Sequence, residues 1–252
     1  MPERRLLLLS NSRDAEGRYL HHCRDALAAH LAGVRRVTFV PYAGVGGAWD
    51  AYAARVRDAL APLGVAVDGV HGYADAAAAV RDAEALAVGG GNTFHLLAAL
   101  QRTGVLGALR ERALAGVPYV GWSAGSVVAC PTLGTTNDMP IVQPPEGFGA
   151  LGLVRFQVNA HFTDAHPPGF QGETRRERIA EFLAANPDAT VVGLPEGDWL
   201  EVRGTQVTLR GAHPAFLFAA GVEARALAPG QEVGPLLEPR GRSTEKQEGM
   251  KI

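Results

Sequence analysis

Short apolar runs alternate with longer amphipathic ones along the first half of the chain. Leu6, Leu7, Leu8 and Leu9 form one such run, and residues 37–40, 65–70, 85–88 and 118–121 form four more. Each is too short for a helix and, Thr38 and Asp68 apart, free of polar side chains that would mark a solvated face, the pattern of a strand buried on both faces. Between them, segments 17–31, Trp49–Leu60, 75–82, 92–101 and 106–115 carry helical spacing, the last two separated by Gly104. Strands covered on both faces and separated by helices imply a mainly parallel sheet with right-handed crossovers. The predicted fold class is therefore α/β, a three-layer α/β/α arrangement.

Beyond residue 130 the pattern loosens. Residues 131–172 are rich in proline and glycine and read as loop, with one strand near 155–159. A helix over 174–184, a strand at Thr190–Leu194 and a hairpin of Trp199–Arg203 with 206–209 at the sheet edge complete the prediction. Residues 1–236 read as a single catalytic domain. Residues 237–252, polar and mixed in charge, read as a disordered tail.

Composition narrows the partners. A net charge of -2 gives no electrostatic reason to expect nucleic acid or an anionic membrane. Four leucines are too few for a signal peptide or a membrane span. Two cysteines, Cys23 and Cys130, make no disulfide scaffold, which favours a reducing compartment. The expected ligand is a small molecule, and the expected assembly a monomer or small homo-oligomer.

The candidate chemistry begins where the strand over 118–121 meets Gly121-Trp122-Ser123-Ala124-Gly125. A strand, a tight turn with small residues around a serine and a following helix (124–130) form the context of a nucleophile elbow. The alternative is a serine that only caps the helix. In the elbow reading, Ala124 N–H and the new helix N-terminus stabilise a developing oxyanion. Gly89-Gly90-Gly91-Asn92-Thr93 ends another strand. It lacks the lysine of a Walker A loop and the spacing of a dinucleotide loop, so Gly90 or Gly91 is expected to supply a second oxyanion donor. Asn92 and Thr93 either cap the next helix or face the substrate.

A serine needs a base. His161, in Asn159-Ala160-His161-Phe162, follows an apolar stretch that delivers it to the sheet edge; His166 and His95 are its rivals. The acid that holds the imidazole is Glu196, just past the strand Thr190–Leu194, with Asp138 the main rival and Asp164 and Asp198 behind. An α/β-hydrolase places its histidine after the acid. The order Ser123, His161, Glu196 departs from that fold. Arg175 and Arg176 open a helix and are either surface charge or a fork for a substrate carboxylate. No metal-binding spacing is present, and no cofactor is expected.

The motifs also resemble a known family, serine peptidase family S51, whose members include α-aspartyl dipeptidases. The resembling segments are residues 6–12, 41–45, 89–94, 121–125, 135–142, His161-Phe162-Thr163, 172–175 and 194–197, in register over roughly residues 4–230. The resemblance implies a fold similar to class I glutamine amidotransferases, with serine in place of their cysteine. It implies Ser123 as nucleophile, His161 as base, Glu196 or Asp138 as the third member, and Arg175 as the substrate-side arginine. The implied activity is metal-free hydrolysis, in the cytoplasm, of dipeptides with N-terminal aspartate, Asp-Xaa. Alternatives are a cyanophycinase-like or β-aspartyl peptide hydrolase, an esterase or acyltransferase, and a non-catalytic small-molecule binding module.

Overall fold

The computed structural model describes residues 3–234. Its centre is a seven-stranded sheet. In chain order the elements are β1 (Arg5–Leu9), α1 (Arg24–His30), β2 (Arg36–Val40), α2 (Trp49–Leu60), β3 (Ala66–Gly69), α3 (Ala76–Arg81) and β4 (Leu86–Val88). Next come α4 (Thr93–Arg102), α5 (Val105–Leu114), β5 (Tyr119–Trp122), α6 (Ala124–Val127), β6 (Gln157–Ala160), α7 (Arg175–Ala185) and β7 (Thr190–Leu194). The hairpin β8 (Trp199–Arg203) and β9 (Gln206–Arg210) precedes β10 (Ala215–Ala219) and β11 (Arg225–Leu227).

The sheet order is β3-β2-β4-β5-β1-β8-β9. Its first five strands are parallel and the hairpin is an antiparallel edge. Side chains alternate across it: Leu6 and Leu8 enter one core, Leu7 and Leu9 the other. All four leucines are at most 1% exposed, each stabilising the fold by roughly 2 kcal/mol. On one face Leu27 of α1 and Ala53, Val56 and Leu60 of α2 pack against the sheet. On the other lie Val80 of α3, Leu96 of α4, Leu109 of α5 and Ala124 of α6. The three layers are those that the hydrophobic pattern predicts.

Four expectations change. The helix expected over 17–31 starts only with a 3-10 turn at His21–Cys23 followed by α1. Asp14 accepts bonds from the backbone N–H of Glu16 and Arg18, which holds residues 14–18 in a side-chain-capped turn that competes with helix. The strand expected over 65–70 covers Ala66–Gly69, and Val70–Gly72 turn into a 3-10 helix. The helix after the elbow stops at Val127, because the carbonyls of Val128, Ala129 and Cys130 accept from Leu151, Leu153 and Gly152 instead. Finally, β6 and β7 do not join the main sheet. They form a second sheet of order β11-β10-β7-β6, in which β10 and β11 fill residues given no element from the sequence. The tail predicted over 237–252 lies outside the described residues.

Candidate active site

The carboxyl ends of β1, β4 and β5 lie along one edge of the parallel strands, the edge at which open α/β sheets bind ligands. Ser123 follows β5 with φ 52° and ψ -115°, a conformation that a non-glycine residue adopts at a cost of about 1–3 kcal/mol. The turn is held by Ser123 N–H donating to Leu9 O at 3.0 Å, and by Ser126 Oγ donating to Leu9 O at 2.7 Å. Gly125 packs directly under the Val88 carbonyl, where any Cβ would collide. That close approach sets the small-residue requirement in the pentapeptide.

The second sheet delivers the other two groups. Ala160 of β6 pairs in parallel with Leu194 of β7. His161 and Glu196, one and two residues past those partners, therefore leave the sheet side by side. His161 Nδ1 lies 2.6 Å from Glu196 Oε1, and its Nε2 lies 2.9 Å from Ser123 Oγ. The tautomer that satisfies both contacts donates Nδ1–H to the carboxylate and leaves Nε2 to accept the serine hydroxyl. His161 is itself in the left-handed region, φ 56°. Its N–H donates to Ser10 Oγ at 2.9 Å, while Ser10 Oγ donates to Leu194 O at 2.8 Å. Asn11 Oδ1 accepts from Gly197 N–H at 2.8 Å. Ser10 and Asn11, at the end of β1, thus tie both loops to the main sheet. The sequence reading gave neither residue a role, and no motif marks them as clamps.

The glycine turn after β4 borders the serine, since a Cβ on Gly90 would stand 3.0 Å from Ser123 Cβ. Tyr52 hydroxyl donates to Gly90 O at 3.0 Å and accepts from Trp122 Nε1 at 2.9 Å. These bonds fix the carbonyl side of the peptide whose N–H belongs to Gly91. Ala124 N–H, in the first turn of α6, has no intrahelical acceptor.

Asp138 lies elsewhere. Its Oδ2 accepts from Thr93 N–H at 2.7 Å, Thr93 Oγ1 at 2.5 Å and Thr136 Oγ1 at 3.1 Å, all at the N-terminus of α4. Asn92 caps the same helix through His95 N–H at 3.0 Å and donates to Met139 O at 2.9 Å. The side chains of Asn92, Thr93 and Asp138 therefore join the 136–139 loop to α4. Asp198, fully buried, accepts from Ala212 and His213 N–H, and Asp164 forms a two-point pair with Arg176. Arg176 also sits 4.5 Å over the Phe216 ring. Arg175 is different: half-buried, with its pKa lowered by desolvation, then by Arg178, and raised in part by the charge of Asp138. Among the described residues it has no ion-pair partner. His95 Nδ1 contacts Tyr42 O at 2.7 Å and His166 stacks on Phe170, so neither rival histidine reaches the serine. Among the described residues no three His, Cys, Asp or Glu side chains gather as a metal site, and no helix is long and apolar enough to cross a membrane.

Ser123, His161 and Glu196 open into a cavity of about 650 Å³ that also reaches Gly90, Gly91, Tyr19, Tyr52, Arg13 and Arg55. A strained serine bonded to an imidazole that is bonded to a carboxylate, at the carboxyl edge of a parallel sheet, is the arrangement of a serine hydrolase. Residues 6–210 match the model of peptidase family S51. The chain is 50% identical to Peptidase E of Citrobacter koseri over 225 residues, 89% of this chain and 98% of that protein. It is 49% identical to Peptidase E of Salmonella typhimurium over the same shares. A solved peptidase from an acI-B1 actinobacterium, 17% identical, superposes with a TM-score of 0.67 over 92% of this chain and 96% of that one, a likeness of fold. The chain belongs to peptidase family S51 and is a dipeptidase of that family.

Proposed function

We propose that the protein hydrolyses dipeptides with N-terminal aspartate through an acyl-enzyme on Ser123. The observation that carries this reading is the unbroken chain from Ser123 Oγ through His161 to Glu196 at the head of the cavity. Ser123 Oγ attacks the scissile carbonyl while His161 Nε2 takes its proton. Glu196 keeps the imidazole in the accepting tautomer and balances the imidazolium that forms. The oxyanion is held by Ala124 N–H and by Gly90 or Gly91 N–H, each such donor lowering the barrier by on the order of 3 kcal/mol. The imidazolium then protonates the leaving amine, the C–N bond breaks, and water, deprotonated by the same imidazole, cleaves the aspartyl ester.

Arg175 is assigned the aspartyl side chain. Its guanidinium has no ion-pair partner among the described residues, and its desolvation costs are offset when a carboxylate arrives. Asparagine would leave that charge unmatched, which gives the preference for aspartate. Asp164 fixes Arg176 in another role. The cytoplasm is the assigned compartment, in keeping with two buried free thiols, Cys23 and Cys130.

The test is Ser123→Ala with a panel of Asp-Leu, β-aspartyl-leucine, N-blocked Asp-Leu and a simple ester. Asp-Leu turnover is expected to fall by a factor on the order of 10⁶, with the melting temperature retained. Hydrolysis that survives the substitution refutes the nucleophile. Preference for the β-linked peptide refutes the substrate.

A further inference from the structure

One group of side chains lining the cavity has a chemistry that the catalytic chain does not use. Tyr52 and Arg55, three residues apart on α2, share a helix face that lines the cavity. Arg55 Cζ lies 5.9 Å from the centre of the Tyr19 ring, and Arg13 Cζ lies 5.6 Å from it. Two guanidinium groups are thus stationed about one aromatic ring. Arg13 donates to Gly17 O at 2.7 Å, which fixes its position without neutralising it.

The acids lining the cavity are already engaged. Asp14 is held by Arg18 Nε at 2.7 Å, by His21 at 3.3 Å and by two backbone N–H groups. Glu196 is bonded to His161. Among the described residues no carboxylate pairs with Arg13 or Arg55. The cavity therefore ends in a cationic pole with an open demand for an anion. Arg175, which feels the charge of Asp138, does not line this cavity.

We propose that Arg55, assisted by Arg13, binds the free C-terminal carboxylate of the leaving residue. The inference rests on the Asp-Xaa reading and deepens it. With the aspartyl side chain assigned to Arg175, the peptide presents one further anion, and Arg13 and Arg55 are the arginines that line the cavity itself. The same contact accounts for a limit on length. Each added residue moves the terminal carboxylate about 3.5 Å further from the scissile bond, away from a pair of guanidinium groups set by a helix and a backbone bond.

The experiment compares Asp-Leu with Asp-Leu amide, which differ only in that carboxylate. Wild-type enzyme is expected to favour the acid. Arg55→Gln is expected to lower the ratio of kcat/KM on the acid to that on the amide by about tenfold, the scale of one charge-assisted pair. Arg13→Gln should lower it by a smaller factor, and Arg55→Lys should restore part of the loss. Melting curves establish that the variants, substituted at exposed positions, remain folded. A ratio unchanged within about twofold in Arg55→Gln, or a wild type indifferent to the amide, overturns the inference while the Asp-Xaa reading stands. A wild type that cleaves neither compound overturns both.

Discussion

Two carboxylates compete on paper for the same task, and the structure gives them opposite surroundings. Glu196 leaves the end of β7 into solvent, its side chain 63% exposed, with His161 Nδ1 as its partner. Asp138 sits at the N-terminus of α4 with one oxygen accepting three hydrogen bonds from Thr93 and Thr136. A helix N-terminus offers unpaired N–H groups and a positive end, so a carboxylate there satisfies backbone donors and steadies the helix. A carboxylate with one partner and room around it can instead respond to a charge that appears and disappears on an imidazole. The difference teaches that an acid near a catalytic loop is sorted by which donors claim its oxygens first.

Neutralising each acid without changing its shape separates the two roles. Glu196→Gln is expected to lower kcat on Asp-Leu by about 10² or more. A buried orienting acid is worth about 10⁴, and solvent screening at this exposed position reduces that effect. Asp138→Asn is expected to leave kcat within about threefold and to lower stability by about 1 kcal/mol, as loss of a charged helix cap does. Steady-state kinetics and thermal melts on the pair check both. If Glu196→Gln keeps near-full turnover while Asp138→Asn loses it, Asp138 holds the imidazole and the assignment is reversed.

A smaller effect sharpens the Glu196 side. Ser10 is fully buried and bridges His161 N–H to Leu194 O, so it locks the histidine against the strand that carries Glu196. Ser10→Ala leaves the His161 N–H unpaired, while Leu194 O keeps the Phe162 N–H as a donor, a cost of about 1–3 kcal/mol. The imidazole then loses its register with Ser123 Oγ. The expected result is a roughly tenfold fall in kcat with KM unchanged, because a misaligned near-attack geometry affects the reacting step. Equal changes in kcat and KM, or a melting shift alone, would reduce Ser10 to a structural residue.

The first half of the fold was legible because strands buried on both faces write themselves as unbroken apolar runs, as Leu6 to Leu9 do. The elbow was legible for a related reason: close packing of Gly125 under Val88 demands a small residue at a fixed offset from the serine. What the chain did not disclose is the second sheet. The pairing of Ala160 with Leu194 joins residues far apart in sequence, and no local spacing encodes it. That pairing sets Glu196, and not Asp138, within hydrogen-bond distance of His161, a contact that sequence alone left open to either acid. The start of the helix expected over 17–31 was misplaced for a local reason, since Asp14 bonds the backbone N–H groups of Glu16 and Arg18 and draws the chain into a turn there. Arg55 carries no signal beyond a cation at helical spacing, which most often marks a solvated face.

A third acid completes the comparison and gives the smallest expected effect. Asp198 follows Glu196 by two residues but points inward. It accepts from Ala212 and His213 N–H through Oδ1, while Oδ2 is buried with no hydrogen-bond partner. Desolvation raises its pKa above the ordinary aspartate value, outweighing the two backbone bonds and His213, which lower it. The folded protein therefore holds this proton to higher pH than the unfolded chain does. The penalty is absent below the unfolded pKa, grows as pH rises through the window between the unfolded and folded values, and is constant above it. Asp198→Asn carries no such ionisation. The melting temperature of the variant relative to wild type is expected to climb from the low end of that window to neutral pH, whatever its offset at acid pH. Melts at several pH values read the slope directly. A falling difference would mean that the fold stabilises the Asp198 carboxylate as an anion, with its backbone bonds and His213 outweighing desolvation.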